Sequence, residues 1–387
     1  MTTVFVSAGD ASGELHAAAL VEELRGLVPG LRFRGLGGPQ MARAGVELVA
    51  DQAELAIGGL VEVLRDLGRI VRAWRRVVRD LAAQRPALVV LVDSPDFNLP
   101  LARRAKRLGL PVLYYVSPQV WAWRRRRIRK IAQRVDRLAV IFPFETEVYA
   151  GTGLCVDFVG HPLVDRLGGF AREHSRKDCR ERLRVPAEVP LVALLPGSRR
   201  NEVQGTLPLQ LEVARELHAR DPRIHFGIGV ASSIDRKQVE AAIASAELPS
   251  LLTLRIFEDR TYELVRAATA VLAKPGTITV EVALLGTPMV VAARVNAFSA
   301  FIMRRLVRVP SFTMPNLIAE AQVVPEFLQE EAEPKTIADA LMDLLGGRSA
   351  ALQCQKLAAV CRQLGSGGAA RRGAGIAQEM LRGTAGS

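Results

Sequence analysis

Short apolar runs of five or six residues alternate along most of this chain with longer segments whose apolar positions recur at helical spacing. Strands buried on both faces require continuous aliphatic runs, and their alternation with helices predicts a parallel α/β sheet. In the first half the runs are Thr3 to Ala8, Arg32 to Leu36, Ala87 to Val92, Pro111 to Val116, Arg137 to Ile141 and Val156 to Val159. Helices are expected from about Glu14 to Leu27, briefly after Pro39 as far as Gly45, and from about Leu60 to Arg85. Around Gly160 to Asp178 the chain turns polar and glycine-rich. The rhythm then restarts with Pro190 to Leu195, Ile224 to Ile228, Leu251 to Leu254, Thr269 to Ala273 and Pro288 to Ala292. From about Pro334 the pattern is helix on helix. The prediction is an α/β protein of two Rossmann-like, doubly wound parallel-sheet domains, 1–165 and 166–345, with a helical tail 346–387 packing back toward the first. Two such sheets facing a cleft take ligands beyond the carboxyl ends of their strands.

Composition and the chain's start add four constraints. At 387 residues the chain exceeds what one core serves, which agrees with two domains. Its formal net charge of +12, with arginine clustered in two places, points to a polyanionic partner: nucleotide, nucleic acid or an anionic membrane. Met1 to Val6 leads directly into the first strand without a basic leader or cleavage site, and no apolar run nears the ~18 residues that span a bilayer, so a cytoplasmic location is expected. Cys155, Cys179, Cys354 and Cys361 form no CxxC pair and have no histidine partner in metal-ligand spacing, which predicts reduced core thiols.

Candidate chemistry falls in loops at predicted strand ends. Ala273-Lys274-Pro275-Gly276-Thr277-Ile278-Thr279-Val280-Glu281 breaks a strand and opens a helix, with Thr277 as its expected N-cap. Bare amides there form an anion site, and Glu281, one turn on at roughly 6 Å by the helical rise, suits the ribose of a bound nucleotide diphosphate. Leu195-Pro196-Gly197-Ser198-Arg199-Arg200 places an arginine pair in a Gly-Ser turn, able to fork onto phosphate oxygens. Ser7 to His16, with Gly9, Ser12 and Gly13, allows a ligand close to the backbone. In Val92-Asp93-Ser94-Pro95-Asp96-Phe97-Asn98, Asp96 has an alternative as cap of a helix starting at Phe97, whereas Asp93 has none and is the candidate general base. Ser117, Gln119, Trp121 and Arg124 belong to a Trp-Arg-rich segment that fits a wall facing an anionic ligand, a stacking groove for bases, or a core tryptophan beside a polar helix face. His161 either reaches the cleft or is a hydrogen-bonded structural histidine.

The helix from Leu60 carries Leu67, Ile70, Val71 and Trp74 in an apolar stripe interleaved with arginines, a pattern suited both to a membrane interface and to covering the protein's own sheet.

Taken together, AGDASGE, GLGGPQM, VDSPDFN, YVSPQVWAWR, FPFE, VGHPLVD, LPGSRRNEV, PGTITVE and PNLIAE, in this order, resemble the lipid-A-disaccharide synthase family over nearly the whole chain. The resemblance implies an inverting glycosyltransferase of GT-B architecture, and the lack of a carboxylate pair with Mg²⁺ spacing or a His/Cys cluster predicts that it is metal-independent. Such an enzyme moves 2,3-diacylglucosamine from its UDP derivative to the 6-hydroxyl of 2,3-diacylglucosamine 1-phosphate, as a peripheral protein on the cytoplasmic face of the inner membrane. It implies Asp93 as base, Arg199 near the diphosphate, Glu281 on the ribose and Asn316 as the Asn of the PNL motif, with neither cofactor nor nucleic-acid partner. Two motifs depart from the usual pattern: Asp10 and Glu14 exchange their acids, and Lys274-Pro275-Gly276-Thr277 stands where Ser-Gly-Thr is common. A lipid II glycosyltransferase or UDP-N-acetylglucosamine 2-epimerase is the alternative within the fold, separated only by VDSPDFN and VSPQVWAWR. A basic RNA-binding module is the alternative outside it, and it leaves LPGSR and PGTITVE unexplained.

Overall fold

The structure is a computed structural model that describes residues 2–55, 60–120, 126–294 and 311–385. The chain forms two compact units, Met1–Pro162 with Leu364–Ser387, and Leu163–Gln363.

Unit 1 is a seven-stranded parallel sheet in the order β3-β2-β1-β4-β5-β6-β7. Its strands are β1 (Thr3–Ala8), β2 (Arg32–Gly37), β3 (Val46–Asp51), β4 (Leu88–Val92), β5 (Val112–Tyr115), β6 (Arg137–Val140) and β7 (Cys155–Phe158). Around them lie α1 (Ala11–Leu27), α2 (Pro39–Arg43), α3 (Leu60–Gln84), α4 (Pro95–Arg107), α5 (Arg126–Ala132) and α6 (Glu145–Val148). Every residue of β4 and β5 is buried, so these two strands carry no polar face. In α3, Ala73, Val77 and Leu81 are fully buried at i, i+4, i+8, which turns that part of the helix onto its own sheet.

Unit 2 repeats the architecture with six parallel strands in the order β10-β9-β8-β11-β12-β13. The strands are β8 (Leu191–Leu195), β9 (His225–Val230), β10 (Leu254–Glu258), β11 (Ala270–Ala273), β12 (Met289–Ala293) and β13 (Glu326–Leu328). Its helices are α7 (Pro162–Glu173), α8 (Arg176–Leu183), α9 (Arg200–Arg220), α10 (Arg236–Ser245), α11 (Thr261–Ala267), α12 (Ile278–Leu284), α13 (Met314–Ala319), α14 (Pro334–Leu345) and α15 (Arg348–Gln363).

The second unit begins at Leu163, three residues before the point read from the sequence, and the expected tail is divided. α15 stays with unit 2, where the buried Gln353 accepts a hydrogen bond from the Met289 amide at 2.6 Å and donates to its carbonyl at 3.1 Å. The last helix, α16 (Ala369–Ala385), joins unit 1 along α1. Gly373 makes that docking possible, because a Cβ there would stand 2.9 Å from the Tyr115 ring.

Where strands were missed or displaced, they are edge strands. β3 and β13 were not expected, and β10 lies at Leu254–Glu258 instead of ending at Leu254. An edge strand is half exposed and keeps charged residues such as Glu47, Arg255 and Glu326, so it lacks the continuous apolar run that marks a central strand.

The two strands whose ends carry the phosphate-type loops are registered by one arginine. Arg180, 6% exposed, donates to the carbonyls of Ala267 (2.9 Å), Pro186 (2.7 Å), Ala187 (2.8 Å) and Val189 (3.0 Å), while Thr269 Oγ1, 3.4 Å from its guanidinium, also accepts from the Leu191 amide at 3.1 Å. Arg180→Met would leave these carbonyls without their donor. It is expected to destabilise unit 2 by about 3 kcal/mol, seen as a lower calorimetric midpoint.

Candidate active site

In unit 1 the loops after β1 and β4 are tied by one hydroxyl. Ser94 Oγ accepts from the Gly9 amide at 3.1 Å and donates to Asp10 Oδ2 at 2.7 Å, while Asp10 Oδ1 accepts from the Gly13 amide at 2.7 Å as the N-cap of α1. Gly9 permits this approach: a Cβ there would meet Ser94 at 3.0 Å. Ser12 is exposed on the first turn of α1. Glu14 is buried and directed elsewhere, accepting from the amides of Gln40 (2.5 Å) and Met41 (3.3 Å) and from Gln52 Nε2 (2.5 Å). Its carboxylate therefore closes the N-terminus of α2 and fixes the GLGGPQM turn.

Asp93 follows β4 half-buried, with its Cβ beside Gly13. Asp96 is exposed and paired with Arg127 at 2.9 Å. It does not cap a helix at Phe97, because α4 already begins at Pro95 with Ser94 as its N-cap residue. Of the two aspartates, Asp93 is the one set into a strand end.

Ser117 is buried, its hydroxyl 3.0 Å from that of Tyr149, while Gln119 is exposed. Trp121 and Arg124 lie outside the described residues, as does the side chain of Leu67. His161 is 3% exposed, packs its ring 5.1 Å from Phe142, and donates its backbone amide to Leu364 at 2.8 Å. Burial, with a smaller contribution from His16, pushes its pKa down to about 3, so it is a neutral histidine at ordinary pH. Trp74 packs edge-on against Phe97 at 5.2 Å and is half-buried; Ile70 is also half-buried and Val71 is exposed.

In unit 2 the loops after β8 and β11, neighbouring strands, meet on Glu202, in the first turn of α9. Glu202 accepts from the Ser198 amide (3.0 Å), Arg199 (3.0 Å) and Lys274 Nζ (2.8 Å). Burial alone would raise this carboxyl, but the Lys274 bond and charge, the Ser198 amide and Arg199 together hold it below its usual range. Gly197, at φ +130°, sits where a Cβ would fall 2.6 Å from the Glu202 carboxylate. Arg199 is 82% exposed at its side chain and Lys274 21%, so the pair leaves one positive charge in excess at the strand ends.

The Lys274 loop differs from expectation in one detail. Thr277 makes no side-chain capping bond, because its backbone is already helical (φ −57°, ψ −29°) rather than extended as a capping residue requires. Thr279, fully buried, donates its hydroxyl to the Gly276 carbonyl at 2.8 Å and fixes the turn instead. Gly276 takes φ +134°. Glu281 is half-buried and raised to about 7 by burial, which Arg166 partly offsets. The Arg166 guanidinium lies 5.2 Å over the Tyr262 ring, and burial together with the Glu281 charge lifts Tyr262 to about 12.

Asn316 is a structural knot. It donates to Val324 O and Glu326 Oε1, both at 2.8 Å, and accepts from the amides of Val323 and Val324 at 2.8 Å. An amide group makes four such bonds, so none remains for a ligand.

Sequence reasoning passed over Glu202, Ser94, Tyr262 and Arg166. An acid as third residue of a helix that starts in a glycine turn is a legible signal for Glu202. Tyr262 and Arg166 give no such signal, since only folding brings them beside Glu281. Among the described residues no cluster of His, Cys, Asp and Glu is arranged to hold a metal ion.

The sequence profile of the lipid-A-disaccharide synthetase family matches residues 4–379. The lipid-A-disaccharide synthase of Syntrophus aciditrophicus is 42% identical over 381 residues, covering 98% of each chain. That of Geobacter metallireducens is 42% identical over 379 residues, covering 98% of this chain and 97% of its own. Among solved structures, MurG of Acinetobacter baumannii superposes with a TM-score of 0.60 at 17% identity, over 98% of this chain and 100% of its own. A UDP-N-acetylglucosamine 2-epimerase of Neisseria meningitidis, bound to UDP-GlcNAc, gives 0.63 at 13% identity, over 99% of this chain and 100% of its own. These distant structures share the fold, the GT-B arrangement of two parallel-sheet units. By sequence, the chain belongs to the lipid-A-disaccharide synthase family of glycosyltransferases.

Proposed function

We propose that the protein transfers 2,3-diacylglucosamine from UDP-2,3-diacylglucosamine to the 6-hydroxyl of 2,3-diacylglucosamine 1-phosphate, forming a β-1,6-linked disaccharide and UDP. The observation that carries the donor assignment is the pair of cationic loops organised by Glu202. Through Glu202 the loop of Gly197, Ser198 and Arg199 after β8 is joined to the Lys274–Gly276 loop after β11, and Glu281 lies one helical turn beyond Thr277. Negative charge growing on the leaving UDP is met there by Arg199 and Lys274 without a metal ion. Asp93 removes the proton from the acceptor hydroxyl. Gly13 beside Asp93, and Gly9 beside Ser94, leave room for the acceptor to approach the backbone around the base.

Asp93→Asn is expected to cut turnover by about 10²–10⁴-fold, followed as UDP release and disaccharide mass, with UDP affinity unchanged by calorimetry. Loss of UDP binding in this variant removes Asp93 from the role of base.

Glu281 gives the donor site a pH dependence. Its ionised form accepts hydrogen bonds from ribose hydroxyls, and with its pKa at about 7 that form is depleted as pH falls through neutrality. UDP affinity is therefore expected to weaken roughly tenfold from pH 8 to pH 6. Glu281→Gln removes this component, and any dependence that survives belongs to the phosphate itself.

The substrates are lipids, and we propose peripheral attachment to an anionic membrane through the outer face of α3. Arg72, Arg75, Arg76 and Arg79 are exposed there beside Val71. Among the described residues no helix is long and apolar enough to cross a membrane. Flotation with phosphatidylglycerol-containing vesicles should show salt-sensitive binding, lost in the Leu67→Ser, Val71→Ser double variant. Equal flotation of the two proteins assigns the helix to its own sheet.

A further inference from the structure

Three residues at the ends of adjacent strands in unit 1 occupy the left-handed region without being glycine: Asp93 (φ +47°), Ser94 (φ +44°) and Val116 (φ +63°). A Cβ opposes that conformation, most of all when branched, so the surrounding structure must hold it. For Asp93 the restraint is visible. Its carbonyl accepts from Asn98 Nδ2 at 2.9 Å and from the Tyr114 hydroxyl at 2.5 Å. Asn98 is fully buried and also donates to Val92 O at 3.0 Å, while its Oδ1 accepts from Ser7 Oγ at 2.7 Å. Tyr114 reaches over from the neighbouring strand β5 and is itself fully buried. Burial, and then the Asp93 charge, push its hydroxyl well above the ordinary range, so it remains a donor at any working pH.

We propose that Tyr114, with Asn98, is a positioning residue for the transfer reaction. By binding the Asp93 carbonyl from two elements, they hold the peptide in the left-handed turn that fixes where the Asp93 carboxylate points. The proposal rests on the reading of Asp93 as base, and it explains a feature that reading does not use. The Tyr114 ring fills the core of unit 1, yet a phenylalanine would fill it as well. Its hydroxyl is placed on the one carbonyl whose orientation decides the direction of the base. A displacement of a reacting group by a fraction of an ångström is costly for proton transfer, and a strained turn released from one of two restraints provides that displacement.

The test is a cycle of four purified proteins: wild type, Tyr114→Phe, Asp93→Asn, and the double variant, assayed with UDP-diacylglucosamine and the monosaccharide phosphate. Tyr114→Phe is expected to lower kcat about tenfold, the effect of one hydrogen bond, with KM for the donor unchanged and the thermal midpoint lowered by no more than about 4 °C. In the Asp93→Asn background the same substitution should change the residual rate less than about twofold, because Tyr114 acts only through Asp93. Unchanged kcat in Tyr114→Phe overturns the proposal. So does a full tenfold loss in the Asp93→Asn background, which makes the hydroxyl an independent contributor and leaves the base assignment standing. A lowered midpoint with kcat intact marks a purely structural hydroxyl and likewise overturns it. Near-wild-type turnover by Asp93→Asn itself removes the base, and the positioning role with it.

Discussion

A parallel strand ends with carbonyls and amides that its neighbours do not fully pair, and at the carboxyl edge of each sheet in this protein a polar side chain, fully buried in unit 1 and half-buried in unit 2, binds the backbone there. In unit 1 it is Asn98, which binds the ends of β1 and β4 and the peptide of Asp93. In unit 2 it is Glu202, which joins the loop after β8 to the lysine after β11. Both lie in the first turns of helices that follow the strands, where a side chain points back at the loop it has just left. Without them the strand ends carry unsatisfied groups and the loops lose their definition. The chemistry assigned to Asp93, Arg199 and Lys274 depends on that satisfaction before it depends on the residues themselves.

Charge follows a similar economy. A net charge of +12 suggests one broad anionic partner, but many arginines are committed inside the fold. Arg34 pairs with Asp80 and Glu47, Arg137 with Asp157 and Glu379, Arg372 binds the Val159 carbonyl, and Arg180 holds four carbonyls. Among the described residues, exposed basic side chains left to meet anions include Arg199 in unit 2 and the arginine rows of α3 and α4 in unit 1.

Central strands were legible because burial on both faces forces an uninterrupted aliphatic run, as in Leu88–Val92 and Leu191–Leu195. Edge strands β3, β10 and β13 were missed or displaced because one side faces solvent and charged residues are tolerated there. The loops were legible for the same local reason: glycine, proline and small polar residues at a strand end have few other uses. Thr277 misled because an N-cap is defined by backbone angles that a residue type only favours, and here Thr279 closes the turn.

By itself the sequence determined the two parallel-sheet units, the loops that carry the phosphate-type and base-type residues, and the family, since each is written in contiguous residues. Only the tertiary structure decided which residues hold them. It placed Glu202 on Lys274, Tyr114 on the carbonyl of Asp93, and Arg166 over Tyr262 beside Glu281. It also committed Asn316 and Glu14 to the backbone. The physical reason is that hydrogen bonds and burial depend on distance through space, and the strand order of a doubly wound sheet sets which distant segments become neighbours.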